Sequence, residues 1–486
     1  MLRATFVVSL LLVVAGPVFA QLCSAPSNNL ICVIPQLYST TAGVNLPNKA
    51  HSAHFDNDFQ SNAAALNASL GIELSSLRLA SPTSGISFVF ANGVMKRSTE
   101  SYGPILGERA ETIGRHRLFL AGTYQYFPFS TLDGIDLKHL PAVYNHVDCC
   151  NHDGSFRGNP PTSSPSPGDP GFEREYIQTT NRIDLKVHQF TFYVTYGLTN
   201  RIDVSAAIPI LNARLGISSE ATLVRTPDPI AQGLPLQQAY VASPTTLPGS
   251  LYPSTGPKIG CQTTLSCTGY FHYFDPANPA TSLTALFSDA KTASGIGDVV
   301  LRAKGTIFKR ERTAVALGTD VRIPSGDEKN FLGAGAAGVK PFLSASYGSR
   351  ISPHANIGYE FNGSSILAGN PANGTKGRLP DQLFYSVGVD AGVTQKLTLA
   401  ADLLGQRFFA PPGVMQGAWV DVLKASHPDV PQTIPIRRSF NTDDLALGAK
   451  YSPFGNWLVT GNLQIKLDDG GLRAKVVPLV GLSYTF

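Results

Sequence analysis

Long hydrophobic runs are the first thing this chain lacks. Beyond the amino-terminal run Phe6 to Ala15, no stretch reaches the roughly 18 uninterrupted apolar residues of a membrane-crossing helix, so helical spans are excluded. Charge is also scarce, at 15% of residues, and the net charge of +4 comes without any Lys/Arg run. The footprint of a nucleic-acid binder is therefore missing. Glycine and proline, by contrast, are plentiful, at 46 and 35 residues. That balance suits many short strands joined by turns and argues against a helical globular protein.

The amino terminus has the three parts of a secretory leader: Arg3, the apolar run Phe6 to Ala15, and the small-residue signal Val18-Phe19-Ala20, with cleavage expected after Ala20. A bulky Leu22 precedes Cys23 where a lipidation signal requires a small residue, so no acyl anchor is expected. Export into an oxidising compartment makes loop disulfides expected for Cys261 with Cys267 and for Cys23 with Cys32. Adjacent Cys149 and Cys150 cannot join each other without strain, and spacing names no partner for either.

From about Arg117 onward, side chains alternate with a period of two. Val476, Pro478, Val480, Leu482, Tyr484 and Phe486 share one face of the last strand, and Lys475, Gly481, Ser483 and Thr485 the other, with Val477 and Leu479 as apolar exceptions. In the preceding strand Trp457, Val459, Leu463, Ile465 and Leu467 oppose Thr460, Asn462, Gln464 and Lys466. The pattern recurs upstream at 445–451, 397–403, 383–389, 355–361, 315–323, 299–307 and 202–208. A helix would scatter these polar residues around its axis.

Loop lengths separate a membrane barrel from a soluble sandwich. Connections of one parity are short: Gly197 to Arg201, Lys309 to Arg312, Gly348 to Pro353, Thr394 to Lys396 and Ser452 to Asn456. Those of the other parity are mostly long: Ser130 to Asn181, Ala213 to Ser294, Pro324 to Val339, Gly363 to Pro380 and Ala410 to Asn441. Short periplasmic turns alternating with long external loops mark the outer-membrane architecture. The terminal Phe486 on an amphipathic strand agrees, and Tyr451, Trp457, Tyr484 and Phe486 are expected in an aromatic girdle.

The expected fold is therefore all-β, a transmembrane antiparallel β-barrel in the bacterial outer membrane. Hairpins counted back to Arg117 give about twelve strands; adding Ser84 to Phe90 and a returning Tyr102 to Glu111 brings the expectation to about fourteen, with twelve as the alternative. Phe55 to Leu79, with Phe59, Ala63, Leu66, Leu70 and Leu74 three or four apart, reads as a short amphipathic helix, plugging the barrel from below or lying at its periplasmic rim. The expected organisation is a signal peptide over 1–20, a periplasmic or plug-like segment over 21–82, and the barrel over 83–486.

Several segments carry a resemblance. Tyr102-Gly103-Pro104-Ile105-Leu106-Gly107-Glu108-Arg109-Ala110-Glu111-Thr112-Ile113-Gly114, Phe172-Glu173-Arg174-Glu175-Tyr176, Tyr196-Gly197-Leu198-Thr199-Asn200-Arg201-Ile202-Asp203, Gly295-Ile296-Gly297-Asp298 and Ile323-Pro324-Ser325-Gly326-Asp327 stand in this order over most of the mature chain. They resemble the "MetA-pathway of phenol degradation" family of outer-membrane transporters and, more distantly, FadL-like channels for hydrophobic compounds. The resemblance implies uptake of aromatic compounds. Two of these motifs also have plain structural readings: Asn200 suits a turn, and Pro324 ends a ladder by lacking an N–H.

The residues expected to line the lumen are Asp203, Asp298, Arg302, Lys304, Asp320, Arg322, Lys340, Glu360, Asp390, Asp402, Asp444, Lys450 and Lys466. Opposite charges on neighbouring strands brace the wall, or set the field of a pore. Both signs occur in similar numbers, so little net ion selectivity is expected. His188 and His354 are the histidines within strands, and spacing attaches no Ser or Asp arrangement to either, so no catalytic residue and no enzyme activity are expected. His146, Asp148, Cys149, Cys150, His152 and Asp153 fit no standard zinc spacing; a stiffened external loop is expected there, with no metal and no cofactor. Pro160 to Pro170 reads as an irregular loop tip. The expected function is passive uptake of small, hydrophobic or aromatic compounds, with a general porin for polar solutes and a closed structural or adhesion barrel as alternatives. Expected partners are membrane lipids, lipopolysaccharide and the barrel-assembly machinery, which would read the last strand; nucleic acid is not among them.

Overall fold

The computed structural model describes residues 23, 26–38, 43–44, 46, 55–56, 63–81, 88–91, 94–97, 101–146, 176–224, 273–275, 277–278, 281–370, 374–420 and 426–486. Its wall is built from β1 (Leu118–Leu132), β2 (Tyr176–Gly197), β3 (Ile202–Val224), β4 (Thr284–Ile296), β5 (Val299–Arg310), β6 (Thr313–Ile323), β7 (Gly338–Tyr347), β8 (Ile351–Asn362), β9 (Gln382–Gly392), β10 (Leu397–Phe408), β11 (Phe440–Tyr451), β12 (Trp457–Lys466) and β13 (Val476–Thr485). Strands β4 and β5 occupy one place, broken at Gly297-Asp298, because both pair with β3. Each place is antiparallel to the next, and β13 closes on β1 through pairs such as Tyr484 with Leu120. Closure leaves the barrel wall without a free edge, which the interior of a bilayer requires.

The barrel thus has twelve places, the lower of the two expected counts. The two extra strands do not join the wall. Among the described residues Phe88–Ala91 pairs with Val94–Arg97 alone, as a separate hairpin. Residues 101–114 form no strand; their backbone bonds to inward-facing side chains instead of to a neighbouring ladder.

The two faces of the wall follow the sequence alternation. Leu317, Val387, Leu399, Leu447, Leu463 and Val480 are exposed outward, while Asp320, Asp390, Asp402, Lys450 and Asn462 are buried inward. An apolar outer band around a closed antiparallel barrel is the outer-membrane architecture, and the chain is an outer-membrane barrel. At the end with short turns, Trp457 meets Tyr484 at 4.9 Å and Tyr484 meets Phe486 at 4.6 Å, in the interfacial position that aromatic rings favour. Strands β2 and β3, at 22 and 23 residues, far exceed the roughly 10 that cross a bilayer and rise beyond the wall on the long-loop side.

The amino-terminal chain runs the opposite way from the expectation. A disulfide joins Cys23 to Cys32. Nearby, Leu30 N donates to Asn330 Oδ1 at 3.0 Å and Lys291 Nζ donates to Ser27 O at 2.6 Å, both partners belonging to the long-loop end. The helix α1 (Ala63–Leu74) is also there, not at the periplasmic rim: Leu66, Leu70, Ile72 and Leu74 are buried with Phe331, Leu367, Val414 and Leu472 from four long connections. Asn67, Ser69 and Glu73 are buried as well, so the described side chains of the helix, 66–74, present no solvated face. Each finds a partner, as buried polar groups must: Asn67 Nδ2 donates to Ile31 O, Ser69 Oγ donates to Pro412 O, and Glu73 accepts from Leu472 N.

From α1 the chain enters the lumen. Ser75 O accepts from Arg322, Ser76 Oγ accepts from Gln382, and Arg78 meets Asp444 at 2.5 Å. Further on, Ser81 N donates to Ile105 O at 3.0 Å. The segment 101–114 then crosses the short-turn end, where Tyr102 OH donates to Gln395 O and Thr112 Oγ1 donates to Asn200 O.

Candidate functional site: the plugged lumen

The inward charges hold the crossing segment. Lys304, fully buried, donates from Nζ to Glu108 at 2.7 Å, to Arg109 O at 2.9 Å and to Glu111 O at 3.0 Å. Lys450 donates to Tyr102 O and Pro104 O, Asp203 accepts from Ile113 N, and Arg109 pairs with Asp390 at 2.5 Å. Ser101 also donates to Asp390. Removing one partner from such buried ionic contacts costs several kcal/mol, about 3–5, so the segment is firmly held.

Gly388 adds a contact that spacing does not reveal. It stands opposite His354 on β8 and Asp402 on β10, and a side chain at 388 would collide with both. Through that gap His354 Nε2 meets Asp402 at 2.6 Å, and its Nδ1 lies 3.4 Å from Asp390. Gly107 of the crossing segment passes directly over this pair, again where a side chain would clash.

A second group of charges lies above the plug. Arg302 bridges Asp320 and Glu108, both at 2.6 Å, and Lys340 completes a row across β5, β6 and β7 by meeting Asp320 at 3.1 Å. Arg322 pairs with Glu360 at 3.2 Å. Asp298 accepts from Gly326 N and Ala334 N, so it fastens the connection after β6. Asp444 joins Arg78 to Arg473, and Lys466 pairs with Asp469, both toward the long-loop end.

Between the descending segment and the plug lies a cavity of about 240 Å³. Leu79, Leu106, Val300, Phe342, Phe384 and Leu404 supply its apolar surface, and Arg302, Asp320, Arg322, Lys340 and Glu360 its charged side. Arg302 lies 4.8 Å from the Phe342 ring centre and Lys340 lies 4.5 Å from that of Phe384, so the aromatic faces are already engaged by cations. Phe342 reaches inward because Gly318 opposite it leaves room for the ring.

Of the thirteen residues expected in the lumen, six line this cavity: Asp298, Arg302, Asp320, Arg322, Lys340 and Glu360. Asp203, Lys304, Asp390, Asp402 and Lys450 are buried against the plug or beneath it, and Asp444 and Lys466 lie above. Sequence reasoning missed their partners Arg78, Glu108, Arg109 and Arg473. Glu108 and Arg109 were legible only as part of the mixed apolar and polar motif Tyr102 to Gly114, and that motif reads equally well as a strand. The Cys261 and Cys267 pairing, residues 147–153 and the Pro160 to Pro170 segment lie outside the described residues; the backbone of His146 pairs with Phe55. Among the described residues no cluster of metal-ligating side chains occurs.

Fold, lipid-facing band and occupied lumen define the chain as an outer-membrane β-barrel whose own amino-terminal segment threads its interior. No family profile and no curated protein matches it. Among solved structures it is similar to an outer membrane channel from Pseudomonas putida F1, with 10% identity over 78% of this chain and 99% of that one and a TM-score of 0.40. It is also similar to the NanC porin (8% identity, 76% and 98% covered, TM-score 0.31) and to the P. putida toluene transporter TodX (10% identity, 76% and 90% covered, TM-score 0.30).

Proposed function

We propose that the protein is a passive outer-membrane channel for small hydrophobic or aromatic compounds. The observation that supports this most directly is the cavity above the plug, apolar on one side and charged on the other, enclosed between the inserted segment and the wall of a membrane barrel. Its size of about 240 Å³ suits a single small ring compound, and pockets of mixed character orient such ligands by a few polar groups. A general porin needs a wide aqueous lumen. Here residues 75–81 and 101–114 fill much of that space. The resemblance of Tyr102 to Gly114 and its companion motifs to the phenol-degradation transporters supports the aromatic substrate class. Capture by the long outer loops, occupancy of the cavity and release past the plug form the proposed sequence of events. Lipopolysaccharide around the apolar band, and assembly machinery reading the strand that ends in Phe486, are the proposed partners.

The test compares uptake of phenolics and alkanols by cells carrying the protein, lacking it, or carrying Leu404→Trp, which fills the cavity. Faster uptake that the Trp variant abolishes is expected. Equal rates in all three for every solute would leave a closed structural barrel as the correct reading.

A further inference from the structure

Charge inside the barrel is segregated around its circumference. Among the described residues, the inward faces of β13, β1 and β2 carry no ionised side chain, and that of β12 carries only Lys466 at its outer end. The bonds that hold the plug run to the other side, on β3, β5, β7, β9, β10 and β11.

The neutral arc has its own order. Asn462, Leu479, Gln125 and Gln189 stand side by side across β12, β13, β1 and β2. Thr460, Gly481, Thr123 and Thr191 form the next row toward the short-turn end. A cavity of about 70 Å³ touches Gln464 above the first row, and one of about 20 Å³ touches Thr460 and Gly481 below it. The lower one lies against Ile105 of the plug.

Three amides on this arc are buried with unmatched hydrogen-bonding atoms. Gln125 is 0% exposed, yet its Nε2 has no partner; Asn462, 4% exposed, has none for either side-chain atom; Gln464, also 4% exposed, has none for Nε2. An unpaired buried group costs about 1–3 kcal/mol, and native interiors hold few of them. Two on β12 and one across β13 on β1, with Gln464 lining the upper cavity and the neighbouring Thr460, Gly481 and Thr123 lining the lower, they constitute a ladder of donors and acceptors suited to a passing guest. Neutral amides exchange partners without the desolvation barrier that a fixed charge imposes.

We propose that this arc is the route by which a solute passes the plug, with Asn462, Gln125 and Gln464 as its selective groups. The route takes uncharged small molecules that combine an apolar body with a hydroxyl or carbonyl, and it disfavours ions of the same size. The plug stays in place, fastened to the charged side. This inference rests on the channel reading above.

The experiment measures initial uptake of labelled benzyl alcohol and of benzoate by porin-deficient cells bearing the full chain. Wild type is expected to favour the alcohol. Asn462→Leu with Gln125→Leu keeps side-chain volume and removes the donors; it is expected to lower alcohol uptake about tenfold. Ala121→Phe, set into the lower cavity, obstructs the arc by bulk and provides a second variant, each first checked for heat-modifiable mobility as a sign of assembly. Ala110→Cys with Ala314→Cys, residues packed together in the structure, tethers the plug to the wall and is expected to leave uptake unchanged. Alcohol uptake insensitive to both arc variants, or abolished by the tether, would overturn the route while the channel reading stands. Wild-type uptake no faster than in cells without the protein would overturn both.

Discussion

His354 Nε2 lies 2.6 Å from Asp402 although a whole strand separates theirs. Gly388 on that strand makes the meeting geometrically allowed. Gly388→Ala is therefore expected to push the pair apart and leave buried polar groups unmatched, at a cost of about 1–3 kcal/mol. A lowered unfolding temperature in detergent checks this; a variant as stable as wild type would show that the gap is unimportant.

Lys304 is the point where three bonds to the plug converge. Lys304→Met keeps the length of the side chain and removes all three donors. Faster hydrogen exchange over 105–113 is expected, with a loss of local stability of about 3 kcal/mol. Protection equal to wild type would mean that Arg302 and Ser81 suffice to hold Glu108.

Glu73 gives the outer cap a pH dependence. Burial raises its carboxyl well above the usual range, with Asp133 and Asp468 adding to the effect and the Leu472 N–H and Arg473 opposing it. The folded state thus keeps the proton where the unfolded state has released it. The associated stability is complete below the ordinary carboxylate range and declines as pH rises through Glu73's raised value. Exchange at the Leu472 amide should accelerate over that rise, and Glu73→Gln should flatten the profile.

Leu447 tests the membrane assignment. It faces outward in mid-strand, between Ala401 and Leu463 on its neighbours. Leu447→Arg is expected to destabilise the barrel in lipid by about 2–4 kcal/mol, a penalty read from urea unfolding in vesicles. A negligible change would place this residue outside the bilayer.

Much of the wall was legible because its chemistry is local. Period-two alternation at Val476 to Phe486 or Trp457 to Lys466 needs only knowledge that one face meets lipid. The same logic identified the inward charges from Asp203 to Lys466. Tyr102 to Glu111 defeated it, since an extended segment looks alike whether it pairs with a strand or crosses a lumen. The helix at Ala63–Leu74 was found, yet its place was not: a helix with apolar residues at helical spacing docks wherever a matching surface exists, and that surface, Phe331 with Leu367 and Leu472, comes from distant loops.

The order of residues alone determined that this chain alternates, turns tightly at one end and loops widely at the other, because those properties follow from neighbours along the backbone. Only the tertiary structure decided that the amino-terminal chain enters from the long-loop side, that Lys304 and Lys450 grip it, and that charge and neutrality occupy opposite arcs. Those outcomes depend on strand register around a closed circle, which brings together side chains hundreds of residues apart and leaves no trace in any short stretch.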